Sequence, residues 1–461
     1  MSSFASLNTA LTGLRAQRRG LDITGQNIAN ANTEGYSRQR VVQESVGGPP
    51  VPAFHSRYDG PGGGVTVTDV ARLRDGFLEQ RGQTEHGKQG FLTERADILR
   101  RVEDAFGEPG ETGLEAQLTQ MWNGWHDVAI RPGDSAARSQ LIQRAGTVTD
   151  TLHRVYNTFD TQWGGTRDQL MTVADELNTT AATVAQLNEA IGRSTQAGEP
   201  VNELADKRDL LVMKLADLVG ATTRPGEDGT VDVYVGGTAL VRGNAAERLL
   251  VKGPDAFDGA STAGTSLVWE GDSFPALVQG GQAAAHLDAL NNVLPGYAAR
   301  LDEFTGKLVA TVNAVHGGGY TADGSAGGAF FVGTTAKDVR VAVTDPKDVA
   351  ASRYGGGAVD GGVADKIAQI KKQVDGPDAF YRQAIVGLGV ESATASNRAR
   401  IQADVTTQVD AARDSQAGVD LDEEMVNMLS YQRAYEGAAR VMTAIDQVLD
   451  KLINSTGVVG R

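Results

Sequence analysis

The sequence predicts a mainly α-helical protein with a β insert. Its N- and C-terminal helices pair as a coiled-coil-like stalk beside a helical body and a small β-rich outer domain. Three observations carry this. Apolar residues recur every seven positions at both ends: Leu7, Leu14, Leu21 and Ile28 at the start, Leu421, Met428, Tyr435, Met442 and Leu449 at the close. Helical periodicity runs with few breaks from Phe91 to about Gly220. Between Arg224 and Val251 the period then drops to two, as in TVDVYVGG.

In the first helix, Phe4 and Leu11 fill the second seam position before Arg18 and Gly25 break it. Such a narrow stripe suits a helical partner, and Arg15, Arg18 and Arg19 leave the helix marginal on its own. NIANANTEGYSRQR, Asn27 to Arg40, stops it. Asn27 and Asn30 share a helical face, and Asn30 and Asn32 tolerate left-handed backbone. Thr33-Glu34-Gly35 reads as a turn with Gly35 at positive φ, and Tyr36 to Val42 as extended chain. One Asn or Gly would end a helix, so three asparagines and Tyr36 exceed what a stop requires.

A Gly/Pro-rich loop at 47–64 leads to the alternating GVTVTDV, Gly64 to Val70. In FLTERADILRRVEDAFGE, Leu92, Leu99, Val102 and Phe106 share a face. EAQLTQMWNGWHDVAI stops at Arg131-Pro132-Gly133, and Asp134 or Ser135 caps a long Thr/Ala-rich helix to about Gln196. VNELADKRDLLVMKLADLVG is the next helix. SLVWEGD joins the β insert, helical pattern returns from about Gly281 to His316, and VRVAV (Val339 to Val343) reads as a short strand. Helices resume at about Asp365. In the last one, Tyr431, Ala438, Ile445 and Leu452 supply the second seam, and Asp420, Asp422, Glu423 and Glu424 sit where the helix dipole favours them. These shifts divide the chain into an axial helix with Asn-rich turn and extended segment (1–70), a first body part (71–222), the β-rich insert (223–280), a returning helix (281–320), glycine-rich loops with short strands (321–360), a last body part (361–417) and the C-terminal axial helix (418–461).

With 461 residues, 40% hydrophobic and 22% charged, the chain can bury a sizeable core. A net charge of −15 argues against nucleic acid or an anionic membrane as partner. The lack of cysteine removes disulfides, thiolate metal sites and cysteine nucleophiles. The N-terminus is unlike a cleaved secretory signal, and no stretch approaches the length of a membrane-spanning helix.

These motifs resemble the axial proteins of the bacterial flagellum. LNTALTGLRAQRRGLDITGQNIANANTEGYSRQR is similar to the N-terminal motif of the rod, hook and hook-associated family. GVDLDEEMVNMLSYQRAYEGAARVMTAIDQVLDKLINS resembles its C-terminal helix. NELADKRDLL, VNAVHGGGYTADGSAGGAFF and the Tyr36-Ser37-Arg38-Gln39 ending resemble the hook-associated branch that forms the hook–filament junction. The chain looks shorter than many members of that branch. The resemblance implies a structural, non-enzymatic flagellar protein without cofactors, exported through the flagellar channel without a cleaved signal. It implies as partners further copies of the chain in a helical ring, the hook protein, a second junction protein (hook-associated protein 3) and a cytoplasmic export chaperone. The ends, 1 to about 45 and 418 to 461, are expected to be mobile before assembly. Expected subunit contacts are Phe4, Leu7, Leu11, Leu14, Leu21, Asn27, Ile28, Asn30, Asn32, Thr33, Gly35 and Tyr36. Expected subunit or chaperone contacts are Leu421, Met428, Tyr431, Tyr435, Met442, Ile445, Leu449 and Leu452. A hook or distal-rod subunit is the alternative within the family; a hydrolase or an adhesin built on axial ends is the alternative outside it.

The remaining motifs have plainer readings. His55, His86, His126, His153, His286 and His316 show no metal-ligand spacing, and His316 is read as a structural hydrogen-bonding residue. GPGGGV and GGGAVDGG lack the Lys-Ser/Thr of a phosphate loop, and TADGSAGG has only Asp323 where a calcium loop needs several carboxylates. Asp206, Arg208 and Asp209 are read as a surface or inter-helix ion pair. Arg224 to Asp272 holds no histidine and no credible triad or paired-carboxylate arrangement, which weighs against a catalytic insert.

Overall fold

The computed structural model describes residues 3–47, 62–257, 264–271, 274–356 and 360–455, without the side chains of residues 3, 4 and 455. The side chain of Phe4, and His55, lie outside the described residues. Helix α1 (Ser3–Ala29) opens the chain. The antiparallel hairpin β1 (Gln39–Val46) and β2 (Gly64–Arg72) follows, in register from Gln39↔Arg72 to Val46↔Gly64 with a bulge at Val42/Gln43. The hairpin lies back along α1, where the Val65 N–H donates to Thr12 Oγ1 at 3.3 Å.

Helices α2 (Gly76–Phe106), α3 (Leu114–Ile130), α4 (Ser135–Ala197) and α5 (Asn202–Val219) begin the body. Asp75 caps α2 through the Phe77 and Leu78 N–H groups, and Asp134 caps α4 through Ala136. Helix α2 thus starts well before Phe91. Its first half was hidden by Gly82, Gly87 and Gly90, which give no apolar signal and let α5 approach: a Cβ on Gly87 would meet the Ala216 carbonyl at 3.2 Å. Helix α4 is a single 63-residue rod.

The β insert is two small antiparallel sheets. One runs β3 (Thr222–Pro225), β4 (Val231–Val235), β5 (Thr238–Arg242), β6 (Ala245–Ala246); the other pairs β7 (Leu249–Lys252) with β8 (Ser266–Trp269). Both are tied to α4 by asparagines. Asn188 Nδ2 donates to the Val231 and Gly243 carbonyls, and Asn178 exchanges two bonds with the Leu249 backbone. Helix α6 (Gly281–Asp288) passes through one π turn into α7 (Leu294–His316). The expected VRVAV strand shrinks to Arg340–Val341 (β10), paired with Phe331–Val332 (β9). The chain closes with α8 (Gly362–Ala368), α9 (Pro377–Ala417) and α10 (Leu421–Asp450).

One hydrophobic core fills the body, from Ala96 on α2 to Ala395 on α9, with Trp122, Trp125, Phe159, Phe304 and Phe330 fully buried. His316 sits in it between Trp125 and Phe330. Its Nδ1 lies 2.8 Å from the Gly328 carbonyl and its Nε2 accepts the Ala350 N–H at 2.9 Å, so a neutral ring is satisfied on both sides. Burial pushes its pKa down. Among the described residues, α1 and α10 contribute nothing to this core: the buried apolar residues of α1 (Ala10, Ala16 and Ile23) belong to a separate contact. The two terminal helices and the β1–β2 hairpin are therefore one packing unit and the body another.

Candidate assembly site at the terminal helix pair

Helices α1 and α10 pack antiparallel, since Asn27 near the end of α1 meets Glu424 at the start of α10 while Gly20 meets Tyr431 two turns further along. On α10 the face toward α1 is the one the heptad marks. Met428, Tyr431, Tyr435, Ala438, Met442, Ile445 and Leu449 are all half-buried, whereas Leu421 and Leu452 are exposed. On α1 the closed face is different. The buried positions are Ala10, Ala16, Gly20, Ile23, Thr24 and Asn27, and the leucine stripe Leu7, Leu11, Leu14, Leu21 with Ile28 lies beside it, half-buried. Small residues are needed at the crossing: a Cβ on Gly20 would lie 2.6 Å from the Tyr431 ring.

Beyond the seam, α10 keeps a second set of apolar side chains with no intramolecular cover. Met425, Val426, Leu429, Val441 and Val448 are each about half exposed or more, with Val426 at 65%. Ala434, Gly437, Val441, Ala444 and Val448 follow each other at spacings of three and four along one exposed face.

The Asn-rich turn lies at the root of this pair. Asn27 is 1% exposed and uses its full hydrogen-bonding capacity. Its Nδ2 donates to the Gln39 carbonyl (2.9 Å) and Glu424 Oε2 (3.0 Å), and its Oδ1 accepts the Gln39 N–H (3.0 Å) and the Tyr36 hydroxyl (2.9 Å). Burial, with Asp206, Glu203 and Glu424 nearby, raises the Tyr36 phenol to about 12. Asn27 and Tyr36 are thus spent inside the chain. Asn30 bonds locally, donating to the Gln26 carbonyl and accepting from Thr33, while Asn32 and Thr33 are exposed. Gly35 adopts φ 76° as expected and packs against Leu210 of α5.

An ionic network ties this root to the body. Arg38 bridges Glu424 (2.7 Å) and Glu423 (2.8 Å) on α10, and its N–H donates to the Ala417 carbonyl. Asp206 accepts both the Ser37 N–H (3.0 Å) and hydroxyl (2.7 Å). Arg72 reaches Asp206 and Asp209, Arg74 reaches Asp209 (2.6 Å), and Arg208 reaches Asp209 from within α5. Arg413 joins Glu79 to Asp410, which also meets His86. Burial alone would raise the Asp209 carboxyl; Arg208, Arg72 and Arg74 overcome it and hold the group below its usual range. Asp206 and Arg208 are not a surface pair, at 6% and 4% exposure. The expected surface or inter-helix ion pair holds for the pairing but not for a surface location: charged residues on an amphipathic helix are usually solvated, and nothing local shows that Ser37 and Arg72 arrive from far away in sequence. A cleft of about 940 Å³ opens beside the network, between the Asn-rich turn, α5 and the end of α9.

The profile of the flagellar hook-associated protein FlgK helical domain matches residues 99–331, half of the chain. The chain belongs to the FlgK family of flagellar hook-associated proteins. Like its relatives it is a structural component of the bacterial flagellum. The ends match broader flagellar profiles: residues 7–36 the basal body rod protein, and residues 413–455 the FlgEFG C-terminal region. The chain is 28% identical to flagellar hook-associated protein 1 of Bacillus subtilis over 512 aligned positions, covering 100% of both chains. It is 24% identical to the protein of that name in Escherichia coli, over 97% of this chain and 99% of the other. The 512-position alignment exceeds the 461-residue chain, so this FlgK-family member carries deletions relative to the first. The solved flagellar hook junction protein FlgK of Burkholderia pseudomallei shares the fold with a TM-score of 0.64 at 14% identity, over 73% of this chain and 100% of that one. No helix among the described residues is long and apolar enough to cross a membrane.

Proposed function

We propose that the chain assembles as a ring of copies between hook and filament, an adaptor on which the filament is built, with a mechanical rather than catalytic role. The observation that carries this is the uncovered apolar face of α10. Helix α1 closes one side of α10, and Val441, Ala444 and Val448 remain for a neighbouring helix whose burial drives assembly. The leucine stripe of α1 runs beside the same contact, while the exposed turn residues Asn32 and Thr33 and the half-buried Asn30 offer a separate contact at the root of the pair. In this reading the hook protein lies on one side of the ring and a second junction protein, hook-associated protein 3, on the other. Before export through the flagellar channel, the ends are unpaired and a cytoplasmic chaperone covers the Met/Tyr face of α10. The rod-like matches of both ends favour a second reading, a hook or distal-rod subunit, although the interior match spans more of the chain.

Deleting the gene and imaging the cells separates the two. Bare hooks with unpolymerised flagellin in the medium are expected for a junction adaptor; absent hooks would place the protein in the rod or hook, and normal filaments would end both readings. Complementation with Val441→Glu and Val448→Glu tests the face itself. Export should persist while incorporation fails, and normal incorporation would remove α10 from the contact.

A further inference from the structure

The joint between the terminal helix pair and the body has an unusual composition. Two covalent segments cross it, Leu73 to Asp75 between β2 and α2 and Gly418 to Asp420 between α9 and α10. The hydrophobic core of the body stops short of it, and among the described elements none of the terminal unit makes an extensive contact with one of the body. One apolar contact that crosses is Gly35 on Leu210, itself 40% exposed. What spans the joint is polar. Ser37, Arg72 and Arg74 come from the terminal side; Asp206 and Asp209, on one turn of α5, receive them. Ser37 presents both its N–H and its hydroxyl to a single carboxylate, which fixes direction as well as distance.

We infer that Asp206 and Asp209 form the socket of an electrostatic latch that sets the angle of the α1–α10 pair against the body, and that the pair swings as an intact unit when the latch opens. Three features support this beyond the presence of ion pairs. The ion pairs that cross the joint converge on Asp206 and Asp209, one turn apart on α5, while neutral hydrogen bonds beside them, from Asn202 to Gln39 Oε1 (3.1 Å) and the Val70 carbonyl (2.7 Å) and from the Arg38 N–H to the Ala417 carbonyl (2.7 Å), carry no charge. Arg208, buried on the same helix, gives Asp209 a permanent counter-charge, so the socket stays charged when empty. Each unit also has its own packing, so opening the joint uncovers little apolar surface and costs mainly the ion pairs. Interfaces between packed units move between discrete arrangements instead of deforming continuously, so such a joint has an open and a closed state.

The cysteine-free chain allows a clean test. Spin labels on cysteines introduced at Gln186 of α4 and Gln432 of α10, both exposed, report the distance across the joint. The otherwise native chain should give a narrow distribution, and Asp206→Asn with Asp209→Asn a broad one. Tryptophan fluorescence should be unchanged, because Trp122, Trp125 and Trp163 lie in the body core. Should those variants disturb α5, Arg72→Gln with Arg74→Gln removes the same pairs from the terminal side. A distribution equally broad without the substitutions, or one that stays narrow with either pair of substitutions, would overturn the latch.

Discussion

Replacing Asn27 with alanine should loosen the root of the terminal pair far more than a single polar side chain suggests. Asn27 is buried and makes four hydrogen bonds, two of them to the backbone of Gln39, which is itself 7% exposed. Alanine leaves that N–H and that carbonyl unpaired where no other described side chain reaches them. Each such group costs about 1–3 kcal/mol, and the lost bond to the Glu424 carboxylate about 1.5–3 kcal/mol. The Tyr36 hydroxyl is half-exposed and recovers a water, and Arg38 still pairs with Glu424, so the total falls at the low end of the sum of these terms, about 3.5–5 kcal/mol. The loss is local because the body has its own core, which makes hydrogen exchange a better assay than global melting. Amides in the last turns of α1 and the first turns of α10 should exchange roughly 10²–10⁴-fold faster, with those of α3 and α4 unchanged. Asn27→Asp should be at least as damaging, because it faces a second carboxylate toward Glu424. Native-like protection in Asn27→Ala would refute the claim that this residue holds the root, and would return it to the intersubunit role expected from sequence.

Three further outcomes are expected. Gly20→Ala gains roughly 1 kcal/mol of helix propensity, yet it should weaken the α1–α10 pair by driving a methyl group into the Tyr431 ring; Tyr431→Leu in the same chain should reverse the loss, and simple additivity would exclude the contact. The His316 pKa is lowered in the fold, so its stabilising effect is present above about pH 6.5 and is lost as pH falls through the lowered value. Urea titrations at pH 8 and pH 5 should therefore show a steeper acid loss for the native chain than for His316→Gln, and parallel losses would rule the histidine out as the cause. Asp378→Ala removes the acceptor of the buried Trp122 indole, which donates to both carboxylate oxygens at 3.0 Å; the body transition should lose about 1.5–3 kcal/mol, and an unchanged midpoint would contradict it.

How much of this was legible depended on whether packing left a trace in hydrophobicity. The α10 seam did: Met428, Tyr435, Met442 and Leu449 are large and regularly spaced, and they face α1. The matching face of α1 did not, because its close approach is built from Ala16, Gly20 and Thr24, which carry little apolar signal beside the stronger leucine stripe. Asp134 and the turns after Ile130 and Ala197 fixed the limits of α4 through local capping chemistry. The root was half legible. The excess of asparagine flagged Asn27, but its partners Gln39 and Glu424 come from different parts of the chain, and only tertiary structure shows that its bonding is intramolecular. The ion pairing of Asp206 was legible, but its burial and its partners Ser37 and Arg72 were not, for the same reason.

The 63-residue helix α4 gives the joint its reach. Its C-terminal end lies near the Asp206–Asp209 turn, where Gly229, packed against Ile191 and Thr195 of α4, accepts from Arg208, and its N-terminal end lies beside Val349, whose carbonyl Arg138 binds. At about 1.5 Å per residue the rod is on the order of 95 Å long. It acts as a lever arm: a rotation of roughly 5° at the root displaces the far end by about 8 Å over that length. A few ångströms of adjustment among arginines and aspartates are thereby converted into a stroke as wide as a helix, with no side chain in the core obliged to change its rotamer.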